Sequence, residues 1–278
     1  PSNVMITFSL VSGGTSVAAL FMAGYIPGAL WALACMLVVY IYAKKAGYRS
    51  QTKLTGKEKF NAFIQALPCL LLIVIVIGGI IAGVFTATEG SVVAVVYSLL
   101  LSIYGYKSMK WKDLPEIFRA SAEMTGIIIF LIGVSSIMSW VMAFTNIPTM
   151  VSNGLLSISS NKYVILLMIN IILLVVGTFM DMTPATLIFT PIFLPVCTAL
   201  GMNTIHFGIM LIFNLCIGTI TPPVGTTLFV GVKVGGVKIE TVFKHLLPYF
   251  FAIIVVLMLV TYIPQLSLWL PGLMGYVS

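Results

Sequence analysis

The residues best suited to ligand chemistry lie between Asn214 and Gly236, where an apolar segment meets two prolines and several threonines. Pro222 and Pro223 lack an N–H group, and Pro223 disfavours the α conformation at Pro222, so about four preceding carbonyl groups lose their helical partners. Inside a membrane such backbone is tolerated only where it is buried in protein or lines a wet cavity. Hard cations prefer oxygen ligands. The stretch therefore predicts a broken membrane helix that binds sodium and a substrate, with further oxygens from Thr219, Thr221, Thr226 and Thr227.

A new half-helix is expected to open at Thr226, directly after Gly225, for which we expect a positive φ angle. The first N–H groups of that half-helix and the positive end of its dipole are expected to meet a substrate carboxylate. The carbonyl groups before the prolines would then hold sodium. One broken segment is thus predicted to contact both ligands.

Asp181 is the second candidate, because it is the sole charged residue between Lys162 and Lys233. It lies in residues 177–186, a glycine- and proline-containing interruption between two apolar runs. A carboxylate at the centre of a membrane helix costs about 2.5–3.5 kcal/mol, so such residues are usually functional. The alternative is that this interruption reaches the membrane surface and that Asp181 is only solvated.

The composition places these residues in a membrane protein. The chain has 278 residues, of which 60% are hydrophobic and 8% charged, and its mean hydropathy is +1.15, which excludes a soluble fold. The net charge of +7 comes from basic clusters at residues 44–59 and 107–119. These clusters lie between apolar spans, which indicates cytoplasmic loops and no nucleic-acid partner. The cysteines show no metal or disulfide spacing and are interpreted as small buried hydrophobes.

The spans are predicted from the apolar runs between these clusters. Residues 17–43 form a long helix bent at Pro27, and residues 67–106 must cross twice, with an extracytoplasmic turn at residues 85–90. Residues 55–67 have an amphipathic pattern that predicts either a helix on the cytoplasmic surface or a solvated linker helix. The chain ends in a span over residues 249–263 and an interfacial tail.

Capping signals mark several helix starts. Thr55 with Glu58, and Thr86 with Glu89, have the spacing of a capping box. We therefore interpret Glu89 as a helix cap, although its position in the turn also allows a functional role. Asn203 is expected to cap a helix whose first turn contains His206, which we interpret as a surface or packing residue and not as a ligand.

A helix is expected over residues 114–144, with Asp113 and Glu116 at its start. A cluster of small residues interrupts its apolar pattern. Such a cluster is consistent with the tip of a re-entrant hairpin and equally with close packing of helices. Both interpretations stay open for the cluster, which comprises Gly133, Ser135, Ser136 and Ser139.

An internal repeat relates residues 1–40 to residues 223–262. Placing Pro1 on Pro223 also matches Gly14 with Gly236, and each copy continues into a long apolar helix. The identities are few, so a chance match is the alternative. A real repeat predicts paired broken helices, which are the sequence signature of a secondary transporter with its site between the two halves.

Six stretches together resemble one family, the large membrane subunit of tripartite ATP-independent periplasmic (TRAP) transporters. They occur in the family's order along nearly the whole chain: residues 1–3 (PSN), 85–90 (FTATEG), 159–170 (SSNKYVILLMIN), 177–181 (GTFMD), 205–210 (IHFGIM) and 218–229 (GTITPPVGTTLF). The main departure is in the turn at residues 85–90, which usually reads FTPTEA in that family.

The resemblance implies an all-α polytopic membrane protein, an inverted-repeat, elevator-type secondary transporter with broken helices and re-entrant hairpins. It implies sodium-driven import of an organic acid, such as a C4-dicarboxylate, sialic acid or another sugar acid, across the bacterial inner membrane, and no enzymatic activity. The implied partners are a small, four-helix, Q-type membrane subunit, a periplasmic substrate-binding protein and membrane lipid. An ion channel and a non-transporting scaffold subunit are the alternatives.

The resemblance also implies roles for individual residues. The substrate would lie near Thr226 and Thr227, and the metal would be sodium only, with no transition metal. The family's sodium-binding positions correspond here to Ser2 and Asn3 in one half, and in the other to Gly177, Asp181, Gly218, Thr219, Thr221, Pro222 and Gly225.

The implied division of the chain assigns residues 1–16 to the end of a first transport repeat and residues 120–239 to a second, with breaks at 177–184 and 218–225. Residues 17–119 and 240–278 would form the scaffold. The chain is expected to be the later part of a longer protein, whose upstream portion would carry the rest of the first sodium site.

Overall fold

The computed structural model describes residues 2–48, 55–159, 161–222 and 225–276, and all regular secondary structure in these ranges is helical. Six helices of the described chain are long and apolar enough to cross a membrane, and two shorter ones, Lys162–Gly177 and Thr204–Gly218, are also apolar. The prediction of an all-α polytopic membrane protein is therefore confirmed. The six are Val17–Ala46, Gly56–Ile81, Ala87–Gly105, Trp111–Val134, Met182–Ala199 and Ile239–Tyr262.

The helices divide into two compact units, Pro1–Lys45 with Leu131–Ser278, and Ala46–Phe130. Within the described ranges they are α1 (Asn3–Val11), α2 (Val17–Ala23), α3 (Tyr25–Ala46), α4 (Gly56–Ile81), α5 (Ala87–Leu100), α6 (Leu114–Phe144), α7 (Ile147–Ile158), α8 (Lys162–Gly177), α9 (Met182–Ala199), α10 (Thr204–Gly218), α11 (Thr226–Gly235), α12 (Ile239–Tyr262) and α13 (Gln265–Leu273). The predicted division into scaffold and transport residues has different boundaries from these units and stays a prediction.

In the unit Ala46–Phe130, α4 and α5 pack together as the two expected crossings. Both capping boxes are confirmed: the Thr55 N–H donates to Glu58 Oε2 at 2.7 Å, and the Thr86 N–H donates to Glu89 Oε2 at 2.8 Å. Asp113 Oδ2 likewise accepts from the Lys110 N–H at 2.9 Å, just before α6. The helix starts could thus be located from local chemistry alone.

The surface helix expected over residues 55–67 is not separate, because α4 runs unbroken from Gly56 to Ile81 through Pro68. A proline inside a helix leaves a carbonyl without its donor. Two tyrosine hydroxyls donate to carbonyls on either side of this point, Tyr97 to Pro68 at 2.9 Å and Tyr106 to Gln65. The carbonyl that Pro68 leaves without a helical donor is that of Ile64, four residues earlier, so these two bonds tie later residues to α4 near the proline without replacing the lost bond.

The interruption expected within residues 114–144 is also absent, because α6 is continuous over 31 residues. Gly133 is exposed, and a Cβ added to it would meet no atom within 4 Å among the described residues. It therefore marks no hairpin tip, and among the described residues it marks no close packing of helices. The side chains of Ser135, Ser136 and Ser139 lie outside the described part. The chain instead turns at Thr145 and Asn146, where Asn146 has a φ of 57°.

The unit Pro1–Lys45 with Leu131–Ser278 is built around α10, which is buried along nearly its whole length and packs against α8, α9, α12 and α2. A helix that is apolar on all sides is expected to be surrounded by others. Asn203 caps it as predicted, with Oδ1 accepting from the Ile205 N–H at 2.8 Å. His206 is 2% exposed and lies 2.8 Å from the Val260 carbonyl through Nε2, so it is a packing residue and not a surface one.

The segment at residues 177–184 is a reversal of direction and not a break within one helix. Met182 at the start of α9 contacts Cys216 near the end of α10, with the two sulfurs 3.3 Å apart. The end of α9 leads through residues 200–203 into the start of α10, so α9 and α10 are antiparallel. The end of α8 meets the end of α10 at Gly177 and Gly218, and Tyr163 and His206 near their starts line one cavity. Helix α8 is therefore parallel to α10 and antiparallel to α9.

The proposed repeat is visible in the order of helices. Helices α2 and α12 start at Val17 and Ile239, which the alignment places opposite each other, and Gly14 and Gly236 both have positive φ angles, of 89° and 62°. Pro1 and Pro223 themselves lie outside the described residues. The first copy differs because the bend expected at Pro27 is a one-residue interruption at Gly24, between α2 and α3, within the span Val17–Ala46. The tail forms a helix, α13, which packs on α2.

The orientation of the chain stays a prediction, with both basic clusters in the cytoplasm. We expect single cysteines at Gln51 and Ser108 to be protected from an impermeant thiol reagent in intact cells. A cysteine at Thr88, which is exposed in the first turn of α5, should be labelled. The background would be cysteine-free, and permeabilised cells would serve as the control. Labelling at position 51 or 108 but not at position 88 would show that the orientation is the reverse of the predicted one.

Candidate functional site

The predicted second half of the site is assembled where α8 and α10 end. Gly177 and Gly218 are both buried, and their backbones touch. A Cβ on Gly218 would lie 2.5 Å from the Gly177 Cα and 2.6 Å from its carbonyl oxygen. Only glycine fits such an approach. The two predicted sodium-site segments therefore come together through their backbones, whereas the sodium-binding role of these two glycines stays a prediction.

The break after α10 starts at Thr219, which caps the helix. Its hydroxyl donates to the Cys216 carbonyl at 2.9 Å, and the Thr221 hydroxyl donates to the Ile217 carbonyl at 2.6 Å. Both hydroxyl oxygens keep lone pairs for a cation, because a hydroxyl group can donate and accept at once. Pro222 is half-buried, whereas Pro223 lies outside the described residues.

The carbonyl of Thr219 is already engaged with the second half-helix. It accepts from the Thr227 N–H at 3.0 Å and from the Leu228 N–H at 3.4 Å. The predicted roles of these carbonyl and N–H groups in binding sodium and a carboxylate stay predictions, although the N–H groups of Thr227 and Leu228 already have a backbone partner. These two N–H groups tie α11 to the end of α10, so the two half-helices are directly coupled.

Gly225 is buried and has a φ of 33°, which confirms the predicted positive φ. A Cβ at this position would lie 2.9 Å from the Thr221 carbonyl oxygen. Thr227 is exposed at the start of α11. Thr226 begins the helix, and its side chain lies outside the described part. At this position of the break, both the φ angle and the contact with the Thr221 carbonyl favour glycine.

Asp181 precedes the first residue of α9 and is exposed. Its backbone carbonyl accepts from the Ala185 N–H at 3.1 Å. Its neighbour Met182 contacts Cys216, which lies shortly before Gly218. Asp181 therefore lies in the α8–α9 reversal, a few residues after Gly177 in the chain, and it is exposed.

Ser2 and Asn3, from the other half, begin α1. The Ser2 hydroxyl accepts from the Val4 N–H at 3.1 Å, and the Asn3 carbonyl accepts from the Thr7 hydroxyl at 3.2 Å. Ser2 lines a cavity of about 200 Å³ together with Phe213 and Cys216 of α10. The start of α1 is thus near the end of α10, and the structure brings the predicted residues of both halves to one region.

Cys216 is a residue that the sequence analysis left without a role. It contacts Met182, lines the cavity with Ser2, and accepts a hydrogen bond from Thr219. Its place between the two halves was not visible in the sequence, because a cysteine in an apolar run resembles any small core residue. The remaining lining of that cavity is mainly apolar, which does not suit an organic acid.

Comparison with known families gives one match over most of the chain. Residues 1–266 match the model of the tripartite ATP-independent periplasmic transporter, DctM component. The match includes every residue predicted to bind sodium or substrate.

Individual relatives agree. The chain is 52% identical over 273 residues to the uncharacterized protein YgiK of Salmonella typhimurium, covering 98% of this chain and 62% of that protein. It is 37% identical over 277 residues to the sialic acid TRAP transporter large permease protein SiaM of Vibrio cholerae, covering 99% and 65%. It is 36% identical over 275 residues to the C4-dicarboxylate TRAP transporter large permease protein DctM of Pseudomonas aeruginosa, covering 99% and 64%. The chain spans a little under two thirds of the length of these relatives.

Proposed function

Because the chain belongs to the DctM component family of tripartite ATP-independent periplasmic transporters, we propose that it is part of a sodium-coupled importer of an organic acid. The observation that supports this proposal most directly is the meeting of two helix ends at Gly177 and Gly218. The hydroxyl-bearing residues Thr219 and Thr221 follow one of these ends in the chain, and Asp181 follows the other. Non-helical backbone at membrane depth is tolerated only where it is buried in protein or lines a wet cavity, and secondary transporters place their ion and substrate sites at such broken helices.

Sodium is the proposed coupling ion, because the region offers oxygen atoms from hydroxyls, carbonyls and one carboxylate. Such ligands suit a hard cation. Asp181 supplies one negative charge, and the ends of α8 and α10 supply the negative ends of two helix dipoles. A cation at this point would interact favourably with all three groups.

The substrate is proposed to be a carboxylic acid of the kind named for the relatives, sialic acid or a C4-dicarboxylate. It would bind near Thr226 and Thr227, where α11 begins. We propose that a periplasmic binding protein delivers the acid, that a small membrane subunit completes the complex in the inner membrane, and that transport follows an elevator motion. The tripartite nature of the family supports the two partners.

The proposal is tested by reconstituting the complex in liposomes with its binding protein. A panel of acids is first screened for the one that raises the melting temperature of the binding protein. Uptake of that acid should saturate and should require an inward sodium gradient. Current without stoichiometric uptake would instead identify a channel, and uptake that is indifferent to sodium would refute the coupling.

Replacing Asp181 by asparagine is expected to weaken sodium-dependent uptake by about tenfold or more, at about 1.4 kcal/mol per tenfold. Asparagine is as good an N-cap as aspartate, so α9 should be preserved and only the charge lost. The measurement is the sodium concentration for half-maximal uptake. Asp113→Asn is the matched control, because that carboxylate caps a helix in the other unit. Normal sodium affinity in Asp181→Asn would show that Asp181 is only solvated.

A further inference from the structure

Two asparagines lie at the centre of the unit that carries the proposed site. Asn170 of α8 and Asn214 of α10 are each 0% exposed, although both helices are otherwise strongly apolar. A carboxamide buried in a membrane protein is costly unless it is hydrogen-bonded. The role of these two residues is therefore to be sought in the bonds they make, and we call them the asparagine pair.

The asparagine pair links α8 directly to α10. Asn214 Nδ2 donates to the Asn170 backbone carbonyl at 2.9 Å and to Asn170 Oδ1 at 2.8 Å. The bond to the Asn170 carbonyl is made to the backbone of α8. It therefore fixes the position of α8 along its axis relative to Asn214, whatever rotamer the Asn170 side chain adopts. Asn170 Nδ2 in turn donates to the Leu166 carbonyl at 2.9 Å and to Thr261 Oγ1 of α12 at 3.1 Å.

The pair lies on the same seam as the glycine contact. Asn214 is about one turn before Gly218, and Asn170 is about two turns before Gly177. Met210, Asn214 and Gly218 follow one another at intervals of one turn and so share a face of α10. If α10 slipped by one residue along α8, Ile217 or Thr219 would face Gly177 in place of Gly218. Even a Cβ added to Gly218 would overlap the Gly177 backbone, so these larger side chains do not fit. The glycine contact is possible in one register only.

We propose that Asn170 and Asn214 are positioning residues, which hold α8 and α10 in the register that brings the two helix ends together at the sodium site. This inference rests on the proposed function, because it assigns the pair an effect on sodium affinity. Residues that orient ligands without touching the ion typically change metal affinity by 10- to 100-fold when mutated. The pair acts at a distance, through the helices.

The decisive variant replaces both residues, Asn170→Leu with Asn214→Leu. Leucine has nearly the shape of asparagine, and replacing both partners leaves no unpaired carboxamide, so stability should be kept. Asn214 Oδ1 has no hydrogen-bond partner among the described residues, so its removal costs nothing. The single variant Asn214→Leu should melt at a lower temperature, because it leaves Asn170 Oδ1 without its donor.

In liposomes, the double variant of the assembled transporter should need at least about tenfold more sodium for half-maximal uptake, with little change in the maximal rate. A second readout does not depend on transport. Cys216, with the other three cysteines replaced by alanine, should react severalfold faster with N-ethylmaleimide, because the end of α10 is no longer held against α8. Should the double variant fold poorly, Asn170→Ala with Asn214→Ala, which also leaves no unpaired carboxamide, is measured in the same two ways and should show the same two changes.

Thr261→Val is the matched control. It removes the bond from the pair to α12 and leaves the link between α8 and α10 in place, so sodium affinity and the Cys216 rate should stay unchanged. The proposal would be overturned if the double variant had a normal sodium affinity and a normal Cys216 reaction rate. It would also be overturned if Thr261→Val changed these two quantities as much as the double variant does. An unmodified transporter that needs no sodium would refute the proposed function alone. In that case an unchanged Cys216 rate in the double variant overturns the inference independently.

Discussion

Replacing Gly218 by alanine is expected to abolish transport and to lower the stability of the protein by about 1–3 kcal/mol or more, the usual cost of overpacking. The new methyl group would overlap the Gly177 backbone, with 2.5 Å to its Cα. Backbone cannot move aside as a flexible side chain can, so the ends of α8 and α10 must separate. Because both ends belong to the proposed sodium site, its geometry is lost together with the packing.

Three matched glycine substitutions test this explanation. Gly177→Ala should be milder, because its Cβ would lie 3.2 Å from the Gly218 Cα. Gly208→Ala meets the ring of Phe8, a side chain that can shift. Gly231→Ala in α11 meets no atom within 4 Å among the described residues and should be neutral or slightly stabilising. Melting temperature and uptake are measured for all four. A Gly218→Ala protein with unchanged melting temperature would show that the helix ends do not touch.

The parts of the structure that could be predicted from sequence are those controlled by local chemistry. The capping pairs Thr55–Glu58 and Thr86–Glu89 are recognisable because each needs only two residues at a fixed spacing. The positive φ of Gly225 follows from a turn between two half-helices. The long apolar runs indicate spans because backbone groups in lipid must be satisfied within the helix.

The parts that were missed depend on distant residues. The amphipathic pattern of residues 55–67 predicted a separate surface or linker helix, yet these residues form the start of one continuous helix that two tyrosines from a later segment contact. The interruption at residues 177–184 has the same composition whether the chain continues or reverses, and only the contact of Met182 with Cys216 shows the reversal. The importance of Asn170 and Asn214 likewise depends on which helix each one faces. Such pairings are tertiary and leave no periodic signal.

Replacing Gly225 by valine is expected to weaken sodium and substrate binding together. The residue has a φ of 33° and a Cβ position 2.9 Å from the Thr221 carbonyl oxygen, and a β-branched side chain tolerates neither. The turn joins the end of α10, where sodium is proposed, to the start of α11, where the acid is proposed. The bond from the Thr227 N–H to the Thr219 carbonyl ties these two points directly. Distorting the turn should therefore disturb both.

Gly236→Val is the matched control for backbone strain. That glycine also has a positive φ, 62°, but no described atom lies within 4 Å of its Cβ position, and it follows α11 at the end away from the break. The Gly236→Val substitution should reduce the stability of the protein without a selective effect on the binding of either ligand. Thr227→Val keeps the shape of the side chain and removes only an exposed hydroxyl, so it should weaken substrate binding more than sodium binding.

The measurement is the sodium dependence of substrate affinity in liposomes, for the unmodified complex and the three variants. If one broken helix contacts both ligands, each must strengthen the binding of the other by the same factor, with a coupling free energy typically of about 1–3 kcal/mol. Gly225→Val should reduce this coupling. Thr227→Val should lower the affinity for the acid but should retain part of the coupling. A substrate affinity that is independent of sodium in the unmodified complex would show that the turn at Gly225 does not couple the two ligands.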